Sequence, residues 1–157
     1  PVCRKRSGRF IAGLSMGGYG ALRLALRYPG RYAAAASLSG CVEMEKGYET
    51  FASRGPFMLR ELDDVYGSEH DLLRGPGSLF GLADRFLKEP DRAPRMYMAC
   101  GTEDHLFEAN EHFFARFGKE LPIEYHTEPG DHNWAFWDRY LERVLAWLPL
   151  EKAEGVW

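Results

Sequence analysis

The stretch FIAGLSMGGYGAL, residues 10–22, decides the fold that this sequence predicts. Its first part, Phe10–Leu14, is a short apolar run of the kind that forms a buried strand. Residues 16–28 then have the apolar spacing of a helix, which a Pro-Gly pair ends. Between the predicted strand and the predicted helix, residues 13–17 fit the pattern G-x-S-x-G, which is typical of a nucleophile elbow.

An elbow places its serine on a sharp, strained turn, so that the hydroxyl of Ser15 projects above the edge of the sheet. Gly13 and Gly17 are expected to leave room for the close approach of strand and helix. The backbone N–H of Met16 begins the helix and is the predicted oxyanion-hole donor. The alternative is an ordinary strand-to-helix turn in which Ser15 caps the helix. Tight packing of the helix is also predicted at two further glycines, Gly18 and Gly20.

The rest of the chain continues the alternation of strands and helices. Further strands are predicted at residues 32–39, 95–100 and 123–127, and further helices at residues 106–119 and 134–148. Residues 41–94 are broken by glycine and proline and predict a lid-like insertion with short helices at 57–66 and 78–88. The last helix has the clearest apolar stripe, formed by Trp137, Tyr140, Leu141, Val144, Leu145 and Leu148. This order predicts an α/β fold with a mostly parallel sheet flanked by helices.

A serine hydroxyl becomes a good nucleophile when an imidazole takes its proton and an acid orients that imidazole. After an elbow, the acid is expected at the end of a later strand and the histidine in a loop further along the chain. Asp104 follows the third predicted strand and is the predicted acid, with Glu103 as the alternative and capping of the next helix as its other possible role. His132 lies in a Gly- and Pro-rich loop before the last helix and is the predicted base. His105 adjoins Asp104 and can line the same site.

Composition excludes several other classes of protein. The 157 residues are 45% hydrophobic, which excludes a disordered or fibrous chain. Their formal net charge is −3, so the chain lacks the basic excess that binding of nucleic acid requires. No apolar run is long enough to span a bilayer. Cys3, Cys41 and Cys100 are too widely spaced for a disulfide framework or a zinc site, so reduced thiols and a cytoplasmic location are expected. No metal-binding or dinucleotide-binding motif is present.

Three segments together resemble a known family, the esterase D-type hydrolases. They are GLSMGGYGA at residues 13–21, CGTED at 100–104, and GDHNW at 130–134 followed by Trp137. This family includes S-formylglutathione hydrolases, tributyrin-type esterases, feruloyl and acetylxylan esterases and mycolyltransferases, and the tributyrin-type branch is the most similar. The resemblance implies an α/β-hydrolase fold and hydrolysis of carboxylic esters through an acyl-enzyme, without a cofactor or a metal. It assigns Ser15 as nucleophile, Asp104 as acid and His132 as base.

The sequence departs from the family pattern at the start of the chain. Only fourteen residues, beginning with Pro1, precede Ser15, whereas family members have several strands and helices there and a loop that supplies a second oxyanion-hole N–H. Residues 1–157 are therefore expected to be the C-terminal portion of an α/β-hydrolase domain, and secretion stays open because the missing part could hold a signal peptide.

Three functions remain as hypotheses for such a chain. The first is a serine carboxylesterase that hydrolyses short-chain acyl esters. The second is an S-formylglutathione hydrolase or an acyltransferase that uses the same residues. The third is a truncated fragment that is inactive, or only weakly active, because part of the oxyanion hole is missing. The expected partner is a small-molecule ester, with neither nucleic acid nor membrane, and association into a homo-oligomer is left open.

Overall fold

Four parallel strands form the centre of the computed structural model, which describes residues 3–45, 48, 53–66 and 78–150. The strands are β1 (Phe10–Leu14), β2 (Ala34–Leu38), β3 (Arg95–Gly101) and β4 (Ile123–Glu128). They lie side by side in chain order, and each neighbouring pair is parallel. The helices of the described residues include α1 (Met16–Arg27), α2 (Pro56–Tyr66), α3 (Leu79–Asp84), α4 (Phe107–Phe117) and α5 (Trp134–Trp147). The prediction of a parallel sheet flanked by helices is confirmed.

The two faces of the sheet bury alternate residues of the same strands. Successive side chains of a strand point to opposite faces, so a strand that is covered on both sides has an almost continuous apolar sequence. One face packs against helices that include α1, α3 and α4, and its strand residues include Ala35, Met96 and Met98. The other face packs against α5, and its strand residues include Ala36, Leu38, Tyr97 and Ala99. In the part of the chain that the structure describes, none of the helices is both long and apolar enough to cross a membrane.

The sheet covers only part of the predicted apolar stripe of helix α5. Its buried residues are Phe136, Trp137, Tyr140 and Val144. Leu141 and Leu145 belong to the predicted stripe, yet they are 46% and 50% exposed. Because each helical residue is rotated by roughly 100° from the one before it, these two leucines lie to one side of the arc that faces the sheet.

The described parts of the predicted insertion, residues 41–94, contribute to the main core. Helix α2 occupies the first predicted short helix, and α3 followed by a 3₁₀ turn at Arg85–Lys88 occupies the second. Buried residues of this segment pack with α1 in one cluster, and they include Val42, Met44, Leu62, Leu79, Leu82 and Phe86. The predicted breaks at residues 67–77 lie outside the described residues, and a lid-like role for the segment stays a prediction.

The glycines around the elbow differ in how closely they are packed. A Cβ atom added to Gly13 would collide with the backbone of Gly17, because β1 and α1 approach each other at this pair. A Cβ on Gly18 would lie 3.0 Å from the Cα of Gly40. By contrast, a Cβ on Gly17 or on Gly20 would meet no described atom within 4 Å. The predicted close packing is therefore confirmed at Gly13 and Gly18 and is wrong at Gly20, while Gly17 contributes its own backbone to the contact.

The pair Gly13→Ala and Gly20→Ala tests this description. Gly13→Ala should lower the free energy of unfolding by about 1–3 kcal/mol, because the added methyl group forces the strand and the helix apart. Gly20→Ala should raise it by up to about 1 kcal/mol, because alanine is the better helix former and has free space at this position. Chemical denaturation of both variants measures the effect, and equal midpoints for Gly13→Ala and the parent would contradict it.

Candidate active site

The backbone of Ser15 has a conformation that serine rarely adopts. Its φ is 54° and its ψ is −122°, between the end of β1 and the start of α1. Backbone hydrogen bonds fix the residue on two sides. Its N–H donates to the carbonyl of Leu38 at 2.9 Å, and its carbonyl accepts from Gly18, Tyr19 and Cys41 at 3.0–3.2 Å. Ser15 occupies the N-cap position of α1, but its hydroxyl makes no capping hydrogen bond and is therefore available for other contacts.

The side chains of Ser15, His132 and Asp104 form a continuous chain of hydrogen bonds. Nε2 of His132 lies 3.0 Å from Oγ of Ser15, and Nδ1 lies 3.0 Å from Oδ2 of Asp104. An ionised carboxylate can only accept, so Nδ1 donates to Asp104 and Nε2 is left to accept the hydroxyl proton of Ser15. The three residues follow β1, β3 and β4 at the carboxyl ends of the strands. Parallel strands bring these ends to one edge of the sheet, which is why residues 117 positions apart meet there.

Asp104 remains ionised although its side chain is fully buried. Burial alone would raise the pKa of this carboxyl. Hydrogen bonds from the N–H of Leu106 and from His132, together with the nearby hydroxyl of Ser39, outweigh burial and hold the pKa below its ordinary value. The Leu106 N–H lies 2.9 Å from Oδ1 and belongs to the N-cap residue of α4, so Asp104 precedes the helix and is not itself the cap.

Glu103, the alternative acid, is exposed, whereas the carboxylate that reaches His132 is that of Asp104. His105 lines the site as expected. Its ring centroid lies 4.6 Å from that of His132, and its Nδ1 lies 3.5 Å from Oδ1 of Asp104. Asp104, His105 and His132 could together offer three ligand atoms within 4.8 Å of one another. The Asp104 carboxylate and Nδ1 of His132 are already hydrogen-bonded to each other and to Leu106, so this geometry suits proton transfer better than metal binding.

The helix that follows the serine supplies donors beside it. The first N–H groups of a helix have no acceptor within it, and α1 begins at Met16. Gly18 and Tyr19 donate to the carbonyl of Ser15, so the N–H groups of Met16 and Gly17 remain for an anion next to the serine. The role of Met16 as an oxyanion-hole donor stays a prediction.

Sequence reasoning missed several residues of the site that follow the end of β2. Sγ of Cys41 lies 3.8 Å from Oγ of Ser15, and burial raises the pKa of this thiol, so the thiol stays protonated at neutral pH. Ser39 is buried and contacts Trp137 through its hydroxyl. Asn110 is buried inside α4 and donates to the carbonyl of Gly40. One signal in the sequence marked Ser39 and Cys41, namely their position just after β2, the neighbour of the elbow strand that ends at the same edge; no such signal marked Asn110.

Comparison with known proteins places this geometry in a family. The Esterase family model matches residues 2–148. An acetyl esterase from Caldicellulosiruptor saccharolyticus is 30% identical over 155 residues, which cover 94% of this chain and 57% of that protein. A fluorophosphonate-binding serine hydrolase of Staphylococcus aureus, FphF, superposes with a TM-score of 0.81 at 28% identity. The superposition covers 96% of this chain and 58% of the FphF chain.

A second solved structure is similarly close. The S-formylglutathione hydrolase FrmB from Staphylococcus aureus has a TM-score of 0.79 at 28% identity, over 94% of this chain and 57% of that one. The chain thus spans less than two thirds of the length of the relatives that it matches. These similarities confirm the predicted α/β-hydrolase fold and the resemblance to esterase D-type hydrolases. The chain belongs to the esterase family, with its serine, histidine and aspartate side chains gathered at the carboxyl edge of a parallel sheet.

Proposed function

We propose that this chain carries the catalytic residues of a serine carboxylesterase that hydrolyses short-chain acyl esters. The hydrogen-bond chain from Ser15 through His132 to Asp104 is the observation that carries the proposal. The similarity to an acetyl esterase supports a small acyl group. Because the chain spans only part of these relatives, the activity is proposed for the whole protein that contains it.

The geometry fits acyl transfer in two steps. His132 takes the proton of Ser15 at Nε2 while Oγ attacks the carbonyl carbon of the ester, and Asp104 stabilises the imidazolium that forms. The N–H of Met16 donates to the oxyanion of the tetrahedral intermediate. Collapse of the intermediate breaks the bond to the alcohol, which leaves with the proton from His132. Water then attacks the acyl-enzyme with the same histidine as base, which releases the acid and restores Ser15.

At the same site, a thioester could replace the ester as substrate, and a second alcohol could replace water as the acceptor of the acyl group. The similarity to FrmB favours S-formylglutathione as an alternative substrate. Acyl transfer differs only in the final acceptor, which would be an alcohol in place of water. Rates with S-formylglutathione and with an aryl acetate, each measured with and without an added alcohol, distinguish the three reactions. Faster turnover of the thioester would favour the hydrolase of the second hypothesis.

Ser15→Ala tests the proposed nucleophile. Loss of the hydroxyl should lower kcat with p-nitrophenyl acetate on the order of a million-fold, because no acyl-enzyme can form. Ser7→Ala is the control, since Ser7 is exposed in the N-terminal turn and should keep the activity of the parent. The assay uses the protein at its full encoded length, and activity retained by Ser15→Ala would refute the proposed nucleophile.

The neighbouring carboxylates allow a matched test of the proposed acid. Asp104→Asn should lower kcat by roughly ten thousand-fold, because an amide can hold the imidazole in the wrong tautomer. Glu103→Gln changes the adjacent carboxylate, which is exposed, and should leave kcat within about twofold of the parent. The opposite result, in which only the change at position 103 removes activity, would assign the acid to Glu103.

A further inference from the structure

Asn110 is a polar side chain on the buried face of α4. The residue is completely buried, as are Phe113 and Phe117 on the same helix. Asparagine is a weak helix former, and a buried amide costs free energy unless hydrogen bonds replace its hydration. Its Oδ1 is also buried and has no hydrogen-bond partner among the described residues. The side chain is therefore unfavourable for the helix by itself, which directs attention to its amide nitrogen.

The amide nitrogen of Asn110 joins two segments that are far apart in the chain. Nδ2 lies 2.9 Å from the carbonyl oxygen of Gly40, which is 70 residues earlier, and 2.9 Å from that of Leu106, the N-cap residue of α4. Carbonyl oxygens can only accept, and an asparagine amide has two N–H donors, so the nitrogen must face both of these oxygens. The side chain is thus a bridge between the turn after β2 and the start of α4.

One end of this bridge holds the backbone of Ser15. The carbonyl of Gly40 and the N–H of Cys41 belong to the same peptide group, which is planar. A hydrogen bond to the oxygen of this group therefore also fixes the direction of its N–H. That N–H donates to the carbonyl of Ser15 at 3.2 Å, on the strained turn of the proposed nucleophile.

The other end of the bridge holds a donor to the buried acid. The carbonyl of Leu106 accepts from the side chain of Asn110, and the N–H of the same residue donates to Oδ1 of Asp104 at 2.9 Å. The carbonyl of Leu106 also accepts from the backbone N–H of Asn110 at 3.1 Å, so both hydrogen bonds order the first turn of α4. A single buried amide thus contacts the supports of both the serine and the aspartate.

We propose that Asn110 is a positioning residue, whose amide holds the supports of Ser15 and Asp104 at a fixed separation. The proposal rests on the proposed esterase function of the same site. Without the bridge, the turn after β2 and the start of α4 can shift relative to each other. The distances from His132 to Ser15 and to Asp104, both 3.0 Å, would then lengthen. Asn110 is buried and is not expected to touch the substrate, so its loss should lower kcat and leave KM unchanged.

Two substitutions separate the bridge from the local hydrogen bond in α4. Asn110→Leu removes both donors, whereas the hydroxyl in Asn110→Ser can still donate to the carbonyl four residues earlier and loses only the contact with Gly40. In the protein at its full encoded length, both should lower kcat with an aryl acetate by about tenfold to a hundredfold, because small displacements of the reacting groups cost this much. KM should stay within about twofold. If folded Asn110→Ser keeps the kcat of the parent, the proposal is wrong.

Phe113, on the same buried face of α4, provides a control for loss of stability alone. It packs against Phe80 and Phe117, with ring centroids 5.2 Å and 4.9 Å apart. Phe113→Leu should lower the midpoint of chemical denaturation, because it leaves space in the core, but should keep kcat within about twofold of the parent. Equal losses of kcat in Phe113→Leu and Asn110→Ser would contradict the proposal. Failure of both Asn110 variants to fold would contradict it too, since the contact would then support the whole domain.

Amide hydrogen exchange, measured by NMR, gives a result that does not depend on turnover. The N–H groups of Cys41 and Leu106 make the two hydrogen bonds that the bridge is proposed to hold, so both should exchange slowly in the parent. Both should exchange severalfold faster in Asn110→Ser than in Phe113→Leu, and equal rates in the two variants would refute the proposal. If the rates differ as expected but the parent has no esterase activity, the proposed function fails while the positioning role stands.

Discussion

The strained turn at Ser15 is the constraint on which the rest of the site depends. Strand β1 and helix α1 approach so closely that no side chain fits at Gly13 against the backbone of Gly17, and the chain reverses direction at the serine with a φ of 54°. A conformation of this cost persists only where the surroundings determine it fully. Here the backbones of Leu38 and Cys41, which lie at the end of the neighbouring strand and just beyond it, hydrogen-bond to Ser15 on both sides.

Parallel strand order converts this local turn into a site. The four strands are all parallel, so the residues that follow each of them reach the same edge of the sheet. Ser15 follows β1, Ser39 follows β2, Asp104 follows β3 and His132 follows β4. The end of each strand thus contributes one polar side chain to the site. Helices that pack against the sheet connect the end of one strand to the start of the next. Rigid strands position these groups more accurately than independent loops would.

A buried charge at this edge requires several donors at once. Transfer of a carboxylate from water into a protein interior is unfavourable unless hydrogen bonds replace its hydration. Asp104 meets this requirement with the backbone N–H of Leu106 and the ring N–H of His132. These donors come from the segments after β3 and after β4, so the charge is stabilised only when the ends of both strands are in place.

The sequence by itself determined the elements and the order of the candidate residues. Apolar runs and helical spacing report contacts within one element, so the strands, the helices and the elbow around Ser15 could be predicted to within a few residues. The chain order of serine, acid and histidine then pointed to Asp104 and His132. Only the tertiary structure decided that Ser39 and Trp137, 98 positions apart, hydrogen-bond to each other. That contact depends on which strands are neighbours and on where α5 crosses the sheet, and local periodicity carries no information on either. For the same reason the sequence shows the apolar stripe of α5 but not which part of it this sheet covers, since burial of a helix face is set by the surface that packs against it.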